Sequence, residues 1–315
     1  MKIQNINNEK TIYRILKFYY IDNMTQQEIA TKMNLSRIKV LRYLDYAKKN
    51  KLVEFKLNIP IKDSYELERL VEEKFSIIEC IIVPSFININ DCYKYAALEL
   101  SELLKRVLKK YIYVGISWSR NVKGVLDYVN IEKKIPINVV PIIGGLQIDE
   151  NENTSNLISN RFAEKCGGTS FEINIPAVFD KKETKRLIEN ESGTKRIKKL
   201  AGKIDIVITG VGNIGVDGTA YSSGYFTLKE MNYLNTLNIC GIVNLNFMDE
   251  NGEEVVTDID DRIIKIYPLE RFRKTKISIG IAFSKNKSMA LKAALKGKVI
   301  NYLLTDEDAA KSLFM

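Results

Sequence analysis

The 315-residue sequence predicts an α/β protein with a small, basic helical module at its N-terminus. Three observations lead there. Residues 1–57 hold 12 Lys/Arg against 5 Asp/Glu, whereas the other 258 residues hold 36 against 34. Most of the net charge of +9 therefore sits in the first fifth of the chain. After Pro60, apolar runs of strand length alternate with amphipathic stretches of helix length, the pattern of helices packed on a mostly parallel sheet. At 45% hydrophobic and 28% charged residues, the chain can bury a sizeable core.

The N-terminal module, residues 1–57, reads as a helix-turn-helix. Ile12, Ile15, Leu16 and Tyr19 fall at helical spacing in KTIYRILKFYY. Thr25 then N-caps QQEIATKM, and Glu28 three residues later completes a capping box. Asn34-Leu35 makes the turn, and Ser36 caps a second helix, RIKVLRYLDYAKK. In that helix Val40, Leu44 and Ala47 face inward while Arg37, Lys39, Arg42 and Tyr43 project outward. A short helix with a basic N-terminal end suits the major groove of B-DNA, about 12 Å wide. Thr25, Gln26, Ser36, Arg37, Lys39, Arg42 and Tyr43 are thus the expected DNA-binding set, with Ser36 and the lysines on phosphates. KLVEFKL at 51–57 reads as a short strand, a wing.

Residues 58–315 form the expected second domain. Helices are predicted at 63–75, 91–110, 119–130, 154–166, 181–201, 227–236 and 286–296, with Thr305 capping a last one. Strands are predicted at 77–83, 111–117, 137–143, 204–211, 239–247, 277–283 and 299–304. Three strands run into small or glycine-containing loops: Ser117-Trp118-Ser119-Arg120-Asn121, Gly144-Gly145 and Gly212-Asn213-Ile214-Gly215. Ligands of open parallel sheets bind outside the carboxyl ends of strands. Glycine permits close backbone approach, and N–H groups ahead of a helix suit phosphate. Lys287 can reach an anion from the crevice edge. Neither a P-loop nor a dinucleotide fingerprint is present.

Several classes are excluded. The chain has no histidine, so a Ser-His-Asp or Cys-His unit and an imidazole zinc site are impossible. Cys80, Cys92, Cys166 and Cys240 form no C-x-x-C pair and read as small apolar residues in a reducing compartment. There is neither a signal-peptide pattern nor a run of 18 apolar residues, so a cytoplasmic protein is expected, with no metal and no cofactor.

The chain resembles the SorC/DeoR-type sugar-responsive bacterial transcription regulators along nearly its whole length. The resemblance begins with MTQQEIATKMNLSRIKVLRYLDYAKKNKLVEF and passes through YVGISWSRNV, VVPIIGGLQ, NRFAEKCGG, INIPAVF and DIVITGVGNIG. It ends with CGIVNLNFMDENGEEV and ISIGIAFSKNKSMALKAALKGKVINYLLTDEDAA. The resemblance implies an effector domain with the fold of glucosamine-6-phosphate deaminase and ribose-5-phosphate isomerase, binding a sugar phosphate or sugar. It also implies homodimers or homotetramers on operator DNA. Carried over by position, the effector residues are Gly115, Ser117, Trp118, Ser119, Arg120, Asn121, Gly144, Gly145, Gly210, Gly212 and Lys287. The chain departs from the family pattern at Ser117 and Ser119, where glycine is usual, at Asn121, and at Phe283-Ser284.

The expected function is a sequence-specific DNA-binding regulator whose operator affinity is switched by a phosphorylated sugar or polyol. A sugar-phosphate isomerase or deaminase with a helical appendage is the alternative, with Asp205, Asp217 and Asp249 as candidate bases. That reading leaves the N-terminal module without a use. A non-specific nucleic-acid packaging protein fits the charge but not the large neutral domain.

Overall fold

The computed structural model describes residues 2–53, 64–145, 154–215, 218–222 and 224–315. The chain divides into two compact units, Met1–Ile61 and Lys62–Met315, against the division expected after residue 57.

In the first unit three helices surround a small core. They are α1 (Lys2–Tyr20), α2 (Gln26–Met33) and α3 (Arg37–Lys49). Ile15, Ile29, Ala30, Val40 and Leu44 are buried together. The Thr25 capping box forms as the spacing predicts. The Glu28 N–H donates to Thr25 Oγ1 at 3.3 Å, and the Thr25 N–H donates to Glu28 Oε2 at 2.7 Å. Asn34 makes the turn in the left-handed region (φ 54°), which asparagine tolerates better than most residues. Ser36 Oγ then accepts the Lys39 N–H at 3.2 Å and opens α3. Of the expected wing strand, Lys51–Val53 form a turn and bend, and residues 54–57 lie outside the described residues.

The second unit is built on a seven-stranded parallel sheet in the order β1-β9-β8-β5-β2-β3-β4. The strands are β1 (Glu79–Val83), β2 (Tyr113–Ile116), β3 (Asn138–Pro141), β4 (Thr169–Ser170), β5 (Ile206–Gly210), β8 (Ile277–Ala282) and β9 (Tyr302–Asp306). Short apolar runs such as Ile206–Ile208 are buried on both faces, as a sheet covered by helices on each side requires. Helices α4 (Tyr65–Phe75), α5 (Ile89–Val107), α6 (Arg120–Tyr128) and α7 (Ser155–Cys166) lie close to the predicted ranges. So do α11 (Leu228–Asn235), capped by a second box at Thr227, and α13 (Ser288–Lys296).

Four local expectations are corrected. The single helix predicted over 181–201 is two, α8 (Lys182–Asn190) and α9 (Ser192–Ala201), because Glu191 is extended (ψ 147°). The strand predicted over 239–247 is an antiparallel hairpin, β6 (Gly241–Val243) and β7 (Asn246–Met248). Its turn residues Asn244 and Leu245 both have positive φ (51° and 58°), the signature of a tight hairpin turn. Thr305 does not cap the last helix, α14 (Glu307–Ser312); Asp306 does, accepting the Ala309 N–H at 3.0 Å. Thr305 is buried in β9, its hydroxyl donating to the Ala282 carbonyl at 2.7 Å. Finally, α10 (Thr219–Ser222), α12 (Leu269–Lys274) and β4 appear where no element is predicted.

Candidate functional site

The topology decides where the site lies. From β2 the chain moves to β3 on one side, and from β5 it moves to β8 on the other. The loops leaving the carboxyl ends of β2 and β5 therefore diverge. A crevice opens between them, at the switch point where open α/β sheets bind ligands. A cavity of about 250 Å³ occupies that position.

One wall is Ser117–Arg120, between β2 and α6. Ser119 N-caps α6, its Oγ accepting the Val122 N–H at 3.0 Å. Gly210, at the end of β5, leaves room for Ser119: a Cβ there would sit 2.3 Å from Ser119 Oγ and force that side chain to shift. The second wall is Gly210–Asn213. Lys287, in the single turn of 3-10 helix ahead of α13, reaches across this wall, its Nζ 3.4 Å from the Val211 carbonyl. Burial, and secondarily the Arg120 charge, push the Lys287 pKa down to about 8. Arg120 is exposed at the rim. Two cations thus share one small cavity, an arrangement that an anion relieves.

The far end is apolar: Trp118, Ile143, Ala220, Tyr225, Ile242 and Leu245. Trp118 and Tyr225 meet edge to face, ring centroids 6.0 Å apart. Asn244 is in the same wall, its Nδ2 donating to the Ile142 carbonyl at 3.0 Å. Its buried Oδ1 has no hydrogen-bond partner among the described residues.

Of the expected effector residues, Ser117, Trp118, Ser119, Arg120, Gly210, Gly212 and Lys287 line this cavity. The other four are not in this lining. Gly115 lies within β2, where a Cβ would press on Ile204 and Ile142. The Asn121 side chain is buried in α6 and accepts the Tyr93 hydroxyl at 3.0 Å. Gly144 abuts the Ile175–Ala177 backbone, and its carbonyl accepts the buried Tyr225 hydroxyl at 3.1 Å. Gly145 pairs with Pro176. Sequence reading finds Trp118 but misses the rest of the apolar end, in part because the 239–247 run reads as one strand. The asparagines at 244 and 246, interrupting an apolar run, are the signal that marks its turn. Tyr225 carries no periodic signal at all.

In the first unit, Thr25, Gln26 and Arg37 line one concavity, and Ser36, Lys39, Arg42 and Tyr43 line another. Arg37, Lys39 and Arg42 are exposed. Among the described residues no cluster of three Cys, Asp or Glu side chains could hold a metal. The four cysteines are unpaired, and burial raises the Cys166 thiol to about 12, far from reactive. No described helix is long and apolar enough to cross a membrane.

A parallel α/β unit with a cationic cavity at its switch point, in one chain with a basic three-helix unit, defines a ligand-responsive regulator. Residues 59–315 match the model of the sugar-binding domain family. The chain belongs to that family, among the SorC/DeoR-type transcriptional regulators. It is 28% identical over 302 residues to the deoxyribonucleoside regulator of Bacillus subtilis, covering 94% of this chain and 95% of the relative. It is 25% identical over 314 residues to the sorbitol operon regulator of Klebsiella pneumoniae, covering 99% of each. The crystal structure of full-length SorC from Klebsiella pneumoniae superposes with a TM-score of 0.75 at 25% identity, over 97% of this chain and 98% of that one. These relatives are regulators, and the isomerase or deaminase alternative is not favoured.

Proposed function

We propose that this regulator binds operator DNA through its first unit and that a phosphorylated sugar or polyol in the cavity switches that binding. The observation that carries the effector half is the convergence of Arg120 and Lys287 on one small cavity at the β2/β5 crevice. The phosphate sits between these two cations and the backbone N–H groups of the β5 loop, and hydroxyls meet Ser117, Asn213 and Asn286. The fold of the second unit is that of the glucosamine-6-phosphate deaminase and ribose-5-phosphate isomerase group, used for binding without turnover.

The DNA half rests on α2 and α3 acting as a helix-turn-helix. The exposed Arg37, Lys39 and Arg42 of α3 meet the major groove and its phosphates, helped by Thr25, Gln26, Ser36 and Tyr43. The functional domains are 1–57 for DNA and 58–315 for effector and assembly. A homodimer or homotetramer presents such heads to half-sites spaced by whole helical turns. The effector acts through different affinity for two arrangements of that oligomer, with coupling of about 1–3 kcal/mol.

The test is a thermal-shift screen of the full-length protein against sugar phosphates, free sugars and polyols. A true effector at 100 times its Kd stabilises the fold by about 2.7 kcal/mol. A screen in which free sugars stabilise and phosphorylated ones do not removes the phosphate from this reading.

A further inference from the structure

In a parallel sheet every loop that enters a strand emerges at one edge, opposite the edge that carries the effector cavity. In this chain those loops are basic. Lys298 precedes β9, Lys276 precedes β8 and Lys203 precedes β5. Lys109 and Lys110 precede β2, and Lys133 and Lys134 precede β3. All seven are exposed. The five strands are consecutive neighbours in the sheet, β9-β8-β5-β2-β3. At about 4.8 Å per strand the cations form a row about 19 Å long.

Little offsets this charge. The same loops contain two acids, Glu132 and Asp205, which against seven lysines leave a net charge of +5. Glu132 lies 3.6 Å from Lys105, and Asp205 Oδ2 accepts the Tyr113 N–H at 3.0 Å. None of the seven lysines has an ion-pair partner among the described residues. Cations at helix C-termini complement the macrodipole, but that effect fades within the last turn. Lys133 and Lys134 lie five and six residues beyond α6, and the other five lie two or three residues past their helix ends.

A second observation concerns the backbone. Tyr111 and Lys298 hold positive φ (64° and 52°), where glycine is the comfortable residue. Tyr111, beside Lys110, is 72% exposed. Lys298 takes the left-handed position that ends α13, where the Val299 N–H donates to the Ala294 carbonyl at 2.9 Å, and Tyr111 is held by its N–H to the Pro136 carbonyl at 2.7 Å; both residues are exposed at this edge.

We infer that this edge of the sheet is a second cationic face, one that takes the phosphate backbone of duplex DNA without reading sequence. The inference rests on the regulator reading above. A 19 Å row matches about five to six base pairs of axial rise, and lysines act on phosphate as point charges.

The test uses full-length protein and a duplex recovered by selection from a random-sequence pool, with binding followed by fluorescence anisotropy from 50 to 300 mM KCl. Lys109→Gln, Lys110→Gln and Lys276→Gln are combined in one variant. Lys181→Gln, Lys182→Gln and Lys195→Gln, exposed on or next to α8 and α9, make the same charge change elsewhere. Each lost phosphate contact lowers the slope of log K against log salt by about 0.9. The expected result is a slope lower by about 2–3 for the edge variant and unchanged for the control. Equal loss in both variants, or none in the edge variant, overturns the inference. A changed sedimentation mass with an unchanged slope makes the edge an interface between copies, which also overturns it. If the triple variant does not fold, Lys110→Gln and Lys276→Gln singly are each expected to lose about 0.9. A wild-type protein that selects no duplex overturns the regulator reading itself. A normal wild-type slope left intact by the edge variant overturns this face alone.

Discussion

Asp306 holds the backbone of Ser284: its carboxylate accepts the Ser284 N–H at 3.1 Å through Oδ1 and 3.2 Å through Oδ2. The same carboxylate caps α14 through the Ala309 N–H. The end of β9 is thereby tied to the loop that leaves β8 and carries Asn286 and Lys287. Ser284 adopts φ 86°, a conformation that favours glycine. Asp306 is buried, which raises its pKa and makes the N–H donors necessary to it.

Replacing Asp306 with Ala removes a helix cap and a loop tether together. A loss of about 1–3 kcal/mol in unfolding free energy is expected, read by denaturant titration. Ser284→Gly relieves the backbone and is expected to stabilise by about 1 kcal/mol. An unaffected Asp306→Ala protein contradicts the tether.

Lys287 sets a pH dependence with a definite sign. Its folded pKa, about 8, lies below the ordinary lysine value. Between those values the unfolded chain holds more protons, so stability without ligand rises with pH through that window and is lowest below pH 8. Lys287→Gln removes the penalty, on the order of 1–3 kcal/mol, and is expected to raise the Tm at pH 7 by several degrees. The same variant is expected to lose stabilisation by sugar phosphate. In the wild type, effector affinity is expected to hold from pH 6.5 to 7.5 and to weaken above pH 8, by up to tenfold per unit. Calorimetric titration across pH checks both.

Arg120→Ala is expected to keep DNA affinity within a few-fold and to abolish the effector response. Arg42→Ala is expected to do the reverse, weakening operator binding by about 1–3 kcal/mol if it meets a base edge. Anisotropy with and without effector separates the two. A shared loss in both variants contradicts the division of labour.

Gly210→Ala is expected to lose effector binding without unfolding the sheet, because the new Cβ collides with Ser119 at the rim of the cavity. Thermal melts with and without ligand read both effects.

The fold was legible where a periodic pattern had no local competitor. The Thr25 box, the Ser36 cap and the buried runs at 206–208 and 277–282 each point one way and form as read. It was illegible where one residue overrides the pattern. Glu191 breaks a continuous amphipathic helix by its own extended backbone, and Asn244-Leu245 fold an apolar run back on itself. The cavity divides the same way. Its cationic end follows strands and is marked by glycine, serine and charge. Apart from Trp118, its apolar end draws on Tyr225 and the hairpin, which reach the crevice only through tertiary packing. Gly144 and Asn121 had the right composition for a ligand loop, yet the Gly144 carbonyl and the Asn121 Oδ1 accept the Tyr225 and Tyr93 hydroxyls.

The most direct measurement is operator affinity of the full-length protein with and without the sugar phosphate that raises its Tm most. The expected result is a change of about 5- to 150-fold in Kd, lost in Arg120→Ala and Lys287→Gln. Operator binding that ignores every sugar phosphate, in wild type and variants alike, contradicts the switch.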